Sequence, residues 1–205
     1  MGRPRLIADE AILAAAREVF LAHGAAATTQ AVALRAGLSQ AAIFKRFPTK
    51  QELFLAAMAS GNDRQDILER FQKRAKAQGV RRALVGLGDD LLPLFRRMLP
   101  LLLVSWSNRA EFGFPKAMSG GSYPPTRAAR ELVTFMEGEM RARRLRKHDP
   151  WLVTRAFVGS LQNYVLMELV SKGAELMVPV LSPQEYVRGL VDLLWKGIAP
   201  PKEQE

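Results

Sequence analysis

The segment from residue 40 to residue 47 combines residue types and spacings that suit binding to DNA. Ile43 and Phe47 lie four positions apart, so in a helix both side chains point inward. At about 100° per residue, the opposite side of the helix carries small and basic residues: Ala41, Ala42 and Lys45, with Phe44 on the flank. The ammonium group of Lys45 could bind a phosphate or the edge of a guanine, and neither use is favoured over the other.

The residues before this segment predict the elements that position it. Thr28 is a candidate N-cap, and apolar residues from Val32 to Ala36 follow at helical spacing. Gly37 suits a left-handed helix end, and Ser39 suits the cap of the next helix. A helix, a tight glycine turn and a second helix with a small, basic outer face form the helix-turn-helix arrangement that reads the major groove.

A basic arm at residues 1–8 precedes this arrangement. Its Gly2-Arg3-Pro4-Arg5 core resembles the AT-hook, whose arginines enter the narrow minor groove of A·T-rich DNA. The alternative is a plain disordered terminus. A first helix is expected from Asp9 to His23, with Gly24 as its stop.

Helical periodicity continues through the rest of the chain and predicts an all-α protein. Pro93 is expected to kink or end one helix, and Gly61-Asn62-Asp63 to bend or interrupt another. Asp149 before Pro150, and Ser182 with Glu185, are start signals of the last two helices. The other predicted segments are 50–76, 84–95, 100–109, 126–144 and 149–172.

The last two helices are apolar on more than one side. In a chain of this size, one side is expected to face the protein's own core and the other a partner, which predicts a homodimer. The alternative is a pair of fully internal helices. The expected interface residues are Leu161, Val165, Tyr186, Val187, Leu190, Val191, Leu194 and Trp195.

Charge and composition favour a nucleic-acid partner over the competing classes. The net charge of +10 suits an anionic partner. The chain has no cysteine, its two histidines lie far apart, and no metal-ligand spacing is present, so an enzyme and a metal or cofactor site are not expected. No secretory leader, membrane span or clean amphipathic basic helix is visible, so we expect a cytoplasmic protein.

Residues 9–58 resemble the DNA-binding domain of the TetR family of bacterial transcriptional regulators. The resemblance is carried by Ile12 to Ala16, Phe20, Gly24, Thr28 to Ser39, and Ile43 to Phe54. It implies an N-terminal three-helix DNA-binding domain at residues 1–50 and a larger helical bundle at residues 51–205, which binds a ligand and dimerises.

The resemblance also implies roles for single residues. Thr28 and Lys50 match phosphate contacts, whereas Phe44 stands where a tyrosine hydroxyl usually reaches a phosphate and Ala41 replaces a common glycine. Arg46 is a candidate for the missing phosphate contact. The expected DNA-binding residues are Arg3, Arg5, Thr28, Thr29, Ser39, Gln40, Ala41, Ala42, Phe44, Lys45, Arg46 and Lys50.

The function implied by the resemblance is a repressor that a small-molecule effector releases from its operator. An activator, or an effector-independent DNA-binding protein of the same fold, is the alternative. Aromatic, methionine and amide side chains of the bundle are candidates for the effector pocket, and plain core packing is the competing role of each. These candidates are Leu102, Trp106, Asn108, Phe112, Phe114, Met136, Met140, Phe157 and Gln162.

Overall fold

A computed structural model describes residues 3–60, 64–112, 124–171 and 181–200. The chain forms two compact units, one from residues 1–62 and 97–120, the other from residues 63–96 and 121–205. Within the described ranges all regular structure is helical, as the sequence predicted. No helix in these ranges is long and apolar enough to cross a membrane.

The helices are numbered here in chain order over the described ranges. Their bounds are α1 Arg3–His23, α2 Thr29–Ala36, α3 Gln40–Phe44, α4 Lys50–Ala59, α5 Arg64–Gln78, α6 Val80–Ser107, α7 Arg109–Phe112, α8 Pro124–Arg141, α9 Pro150–Val170 and α10 Pro183–Ile198. A short 3-10 turn, Gly24–Ala26, joins α1 to α2.

Two helices differ from the sequence-based prediction. Helix α1 begins at Arg3, not at Asp9, because Pro4 lies in the first turn, where a missing backbone N–H costs little. Helix α6 runs unbroken through Pro93 and Pro100, where separate helices were expected. Each proline removes a single backbone hydrogen bond, and buried leucines beside both prolines hold the helix in place: Leu92, Leu94, Leu99 and Leu101.

The predicted helix over residues 50–76 is two helices, α4 and α5. The interruption expected at Gly61-Asn62-Asp63 lies outside the described residues. The first unit extends past the domain boundary predicted at residue 50, because α4 buries Leu53, Phe54 and Ala57 in the core of that unit.

Three phenylalanines form the centre of the first unit. The ring of Phe20 packs edge-on against those of Phe54 and Phe112, with centroids 5.0 and 5.7 Å apart. Phe54 and Phe112 stack, with centroids 4.2 Å apart. All three side chains are fully buried, so they fix α1, α4 and α7 against one another.

In the second unit, the predicted start signals of α9 and α10 are confirmed. The Asp149 carboxylate accepts hydrogen bonds from the first-turn amides of α9, and Pro150 opens that helix. Ser182 and Glu185 form a reciprocal capping box at the start of α10. The Tyr164 and Tyr186 rings, 4.5 Å apart between centroids, then pack α9 against α10.

Candidate nucleic-acid interface

Helices α2 and α3 are joined by a tight turn whose local bonds follow from the sequence. The Thr28 hydroxyl accepts from the Ala31 amide at 3.0 Å, which caps α2. Gly37 ends α2 in the left-handed conformation, with φ of 66°, and the Leu38 amide then bonds back to the Ala33 carbonyl at 2.9 Å. This turn sets the direction in which α3 leaves α2.

Helix α3 presents the face that the sequence predicted. Ser39 caps it by accepting from the Ala42 amide at 3.2 Å, and Ile43 is fully buried beneath it. The residues of the outward side are open to solvent, fully or in part: Ser39, Gln40, Ala41, Ala42, Phe44 and Lys45. Because its inner side is packed on the core and its outer side is open to solvent, α3 can enter a major groove.

Gln40 and Thr29 connect the first residues of α3 and α2. The Gln40 side-chain amide donates to the Thr29 hydroxyl at 2.9 Å. Thr29 is only 8% exposed, so its side chain is less open to DNA than the sequence suggested. Its position at the helix start turns its hydroxyl inward, where it orients Gln40.

Arg46 is less available for a phosphate than the sequence suggested. Its Nε lies 3.2 Å from the Asp9 carboxylate, in an ion pair without hydrogen-bond alignment, and its side chain is about a quarter exposed. The pair ties the residue after α3 to helix α1. Binding a phosphate would therefore require Arg46 to leave Asp9.

Lys50, at the start of α4, is held inside its own unit. Its ammonium donates to the Ala25 carbonyl at 2.5 Å and pairs with the Glu111 carboxylate of α7. The same ammonium lies 5.5 Å from the centre of the Phe112 ring. The next residue, Gln51, donates to the Phe112 carbonyl at 2.8 Å. The Lys50 ammonium, which was expected to bind a DNA phosphate, is therefore already bonded to a carboxylate and to a backbone oxygen of its own unit.

Arg17 was not predicted from the sequence and fixes the far end of α4. Its guanidinium donates to the Ser60 hydroxyl and carbonyl, at 2.6 and 2.9 Å, and to the Ala57 carbonyl at 3.3 Å. These bonds satisfy the carbonyls at the end of α4. Burial, and then the nearby charge of Arg97, lower the pKa of Arg17. No periodicity links residues 17 and 60, so the sequence carried no signal of this contact.

Comparison with known proteins agrees with this geometry. Residues 12–57, which span α1 to α4, match the model of the bacterial regulatory proteins of the tetR family. Residues 12–57 therefore form a DNA-binding domain of the TetR family. Proteins of this family are DNA-binding transcriptional regulators that dimerise, so this chain is a DNA-binding regulator. No curated protein sequence matches the chain.

Solved structures of TetR-family proteins share the fold over nearly the whole chain. A candidate TetR-family regulator from Mesorhizobium loti MAFF303099 superposes with a TM-score of 0.71 at 17% identity, covering 95% of this chain and 98% of that one. The flavonoid-responsive regulator FrrA gives 0.60 at 22% identity, with 94% and 97% covered. NalD of Pseudomonas aeruginosa, the secondary repressor of the MexAB-OprM multidrug efflux pump, gives 0.62 at 16% identity, with 96% and 98% covered.

The predicted effector-pocket residues do not form one group in this TetR-family fold. Leu102, Trp106, Asn108 and Phe112 belong to the first unit. Phe112 lies in the aromatic core, Trp106 is 53% exposed, and the Asn108 amide donates to the Val104 carbonyl of its own helix at 2.9 Å. Phe112 is therefore a core residue, because its ring completes the cluster with Phe20 and Phe54.

The remaining pocket candidates belong to the second unit, except Phe114, which lies outside the described residues. Met136 and Phe157 are fully buried, whereas Met140 and Gln162 are partly exposed. None of the four lines either of the two cavities described in this unit. One cavity, of about 480 Å³, lies beside Arg96 and Glu168, and the other, of about 770 Å³, lies where α5 meets α6.

Half of the predicted dimer residues belong to the protomer's own core. Leu161, Val165, Val187 and Val191 are fully buried in the single chain, because α9 and α10 pack against each other and α9 also packs on α8. Because these four side chains are covered within the protomer, they offer little surface to a partner. The other four residues are partly exposed: Tyr186, Leu190, Leu194 and Trp195.

A different apolar surface lies open on the same two helices. Leu152, Met167 and Val170 of α9 are 64%, 43% and 60% exposed, and Leu193 of α10 is 68% exposed. Gly159 has open space where a side chain would begin, on the side of α9 that carries Leu152 and Val170. We call Leu152, Gly159, Met167, Val170 and Leu193 the outer apolar face.

The side chains of Arg3 and Arg5 lie outside the described residues, although both backbones belong to α1. Among the side chains that are described, no three acidic or histidine groups are placed to hold a metal ion.

Proposed function

We propose that this chain is a repressor that binds its operator as a homodimer and is released by a small-molecule effector. The observation that carries the proposal is the outward face of α3, which is open to solvent while Ile43 anchors the helix from below. An exposed, firmly positioned helix with a basic end is what entry into the major groove requires.

The side chains of this face suggest how the operator is read. The Gln40 amide nitrogen is engaged by Thr29, which leaves its oxygen to accept from the exocyclic amine of an adenine or a cytosine. Lys45 is exposed and forms no ion pair with a described residue, so its ammonium is open to a guanine edge or a phosphate. The methyl group of Ala41, which is exposed, and that of Ala42, which is partly exposed, suit contact with a thymine methyl.

A dimer is needed because a single five-residue helix contacts few base pairs. The α3 helices of the two subunits must lie about 34–36 Å apart to enter successive major grooves. We place the dimer contact on the outer apolar face of α9 and α10, whose exposed leucine, methionine and valine side chains form the kind of patch that a partner covers. The open site at Gly159 allows two helices to approach closely.

The effector is assigned to the second unit, where Met140 and Gln162 remain candidates for its pocket. The names of two structural relatives support this form of control, since one is flavonoid-responsive and the other is a repressor. We expect the effector to bind more tightly to dimers whose α3 helices are too close or too far apart for successive major grooves. Such an effector would lower the fraction of dimers able to bind DNA.

The test begins with selection of bound DNA from a random pool, using the full-length protein. Recovery of a palindromic site with half-sites one helical turn apart is expected. The Lys45→Ala variant is the matched control, since it removes a charge from α3 and leaves the fold intact. A small-molecule screen for release of that DNA then tests the effector. Enrichment of no sequence would contradict the proposal, and a site that no ligand releases would favour effector-independent binding.

A further inference from the structure

The larger described cavity of the second unit is rich in positive charge. It has a volume of about 770 Å³ and lies where α5 ends and α6 begins. Residues of α8, Arg144 three positions after that helix, and the end of α10 complete its lining. A volume of this size is typical of pockets that hold small organic molecules. We call it the basic groove.

Four cationic side chains line the basic groove. Arg144 forms two hydrogen bonds of 2.7 Å with the Glu139 carboxylate, and Arg81 pairs with Asp192 at 2.7 Å. Lys76 and Arg82 have no carboxylate partner among the residues that the structure describes. About two positive charges are therefore left for a ligand, which matches the charge of one phosphate group at neutral pH.

The position of Arg81 and Arg82 makes this charge costly in the absence of an anion. Both lie in the first turn of α6, which contains no acidic residue. The unpaired amides of a helix start already carry partial positive charge, so cations there are unfavourable. Gly79, with φ of 83°, turns the chain tightly just before them and leaves open space at its α-carbon. Asp192 already pairs with Arg81, so a bound anion would offset the remaining charge of Arg82.

One wall of the basic groove is aromatic. Trp195 of α10 and Phe135 of α8 line it, and both side chains are partly exposed. Phe135 is held in place by Phe71, with ring centroids 4.8 Å apart. A flat ring can stack on such a wall, and its stacking adds to the attraction between the cations and an anionic group.

We propose that the basic groove binds a small phosphate-bearing molecule that also carries a flat ring, such as a nucleoside diphosphate. Lys76 and Arg82 hold the phosphates, and Trp195 stacks on the ring. Arg144 and Arg81 keep their carboxylate partners and define the edge of the site. The lining of the groove includes no residue of α3 and neither of the effector-pocket candidates Met140 and Gln162, so we treat it as a second ligand site.

The fluorescence of Trp195, which lines the basic groove, reports whether a ligand is bound there. The other tryptophans, Trp106 and Trp151, are 53% and 45% exposed, so we expect phenylalanine to replace them without loss of the fold. In the full-length Trp106→Phe/Trp151→Phe protein without DNA, ADP should change the Trp195 fluorescence saturably. Pyrophosphate should compete with ADP, since it supplies the charge, and adenosine alone should bind far more weakly.

The variants Lys76→Gln and Arg82→Gln should each raise the dissociation constant for ADP by about tenfold, the loss of one charge-assisted contact. Lys73→Gln is the matched control, because it removes the same charge from the same helix outside the groove. Lys45→Ala excludes binding of ADP at the DNA-reading face. Circular dichroism checks that each variant is folded.

The proposal is overturned if neither ADP nor pyrophosphate changes the Trp195 fluorescence saturably at millimolar concentration. It is also overturned if Lys76→Gln and Arg82→Gln bind ADP as tightly as Lys73→Gln does. No operator is present in these measurements, so their failure would leave the proposed repressor function untouched, and failure of operator selection would leave the groove untouched.

Discussion

The ammonium of Lys50 and the carboxylate of Glu111 form an ion pair across 61 positions of the sequence. The pair joins the start of α4 to α7, and the Gln51 side chain adds a second bond between the same two helices. Because Lys50 matches a phosphate contact of the TetR family, Glu111 and an operator phosphate compete for one amine. The strength of DNA binding is therefore expected to depend on this internal carboxylate.

The Glu111→Gln variant should bind the operator more tightly than the wild type. Removing the carboxylate frees Lys50, so one further phosphate contact makes the negative slope of log affinity against log salt steeper by about 0.9. The measurement is fluorescence anisotropy of labelled operator over a range of salt. Glu69→Gln, at an exposed position of the second unit, makes the same change in net charge and should have no such effect. An unchanged slope in Glu111→Gln would mean that Lys50 does not reach DNA.

Lys45→Ala should weaken operator binding by about 1–3 kcal/mol if the ammonium contacts a guanine. In that case discrimination at one base pair falls as well, whereas loss of a phosphate contact weakens binding to all sequences alike. Competition between the operator and single-base variants separates the two roles. Lys147→Ala, at an exposed position of the second unit, serves as the control. Undiminished affinity in Lys45→Ala would remove α3 from the interface.

Phe44→Tyr should strengthen operator binding by about 1.5–3 kcal/mol, the contribution of a hydrogen bond to a charged group. The Phe44 ring is 41% exposed, so an added hydroxyl is accommodated at the surface. The gain should shrink in high salt, because the partner is a phosphate. Phe135→Tyr, a partly exposed position in the second unit, controls for the change of residue type. If Phe44→Tyr binds no better than the wild type, Phe44 lies away from the DNA backbone.

The Leu152→Glu/Leu193→Glu variant should be a folded monomer. A charge on the outer apolar face is costly to bury against a second chain, so the dimer is destabilised. Both positions are exposed in the single chain, so the fold of the protomer is kept. Light scattering gives the mass and circular dichroism the helicity. Leu34→Glu, at a position 83% exposed in the first unit, should remain a dimer. By contrast, Val191→Glu should unfold the second unit, because Val191 is fully buried.

The capping box of α10 should make stability depend on acid pH. The Ser182 hydroxyl, and then its backbone amide, donate to the Glu185 carboxylate and lower its pKa. The charged carboxylate therefore stabilises the folded state above its unfolded pKa, and this contribution is lost as pH falls through the lower folded pKa. The difference in free energy of unfolding between wild type and Glu185→Gln should be largest near neutral pH and vanish in acid.

Urea denaturation at several pH values measures this difference. Glu10→Gln, which removes an exposed carboxylate without a described hydrogen-bond partner, should show no comparable trend. A constant difference between wild type and Glu185→Gln at every pH would mean that the box contributes through geometry and not through charge.

Local contacts were predictable from the sequence because they join residues two to five positions apart. Thr28, Gly37 and Ser39 produce the turn between α2 and α3 by bonding to their own neighbours, and Asp149 and Ser182 start their helices in the same way. Ile43 at helical spacing was enough to decide which side of α3 faces outward.

The tertiary structure alone decided which charged and apolar groups meet across long separations. The residue type shows that Lys50 can bind an anion, but only helix packing places Glu111 beside it. Packing likewise places Asp9 beside Arg46. Periodicity shows that α9 and α10 are apolar on two sides, but only packing shows that Val191 lies inside and Leu193 outside. Such pairings depend on the position of a whole helix, which no short stretch of sequence encodes.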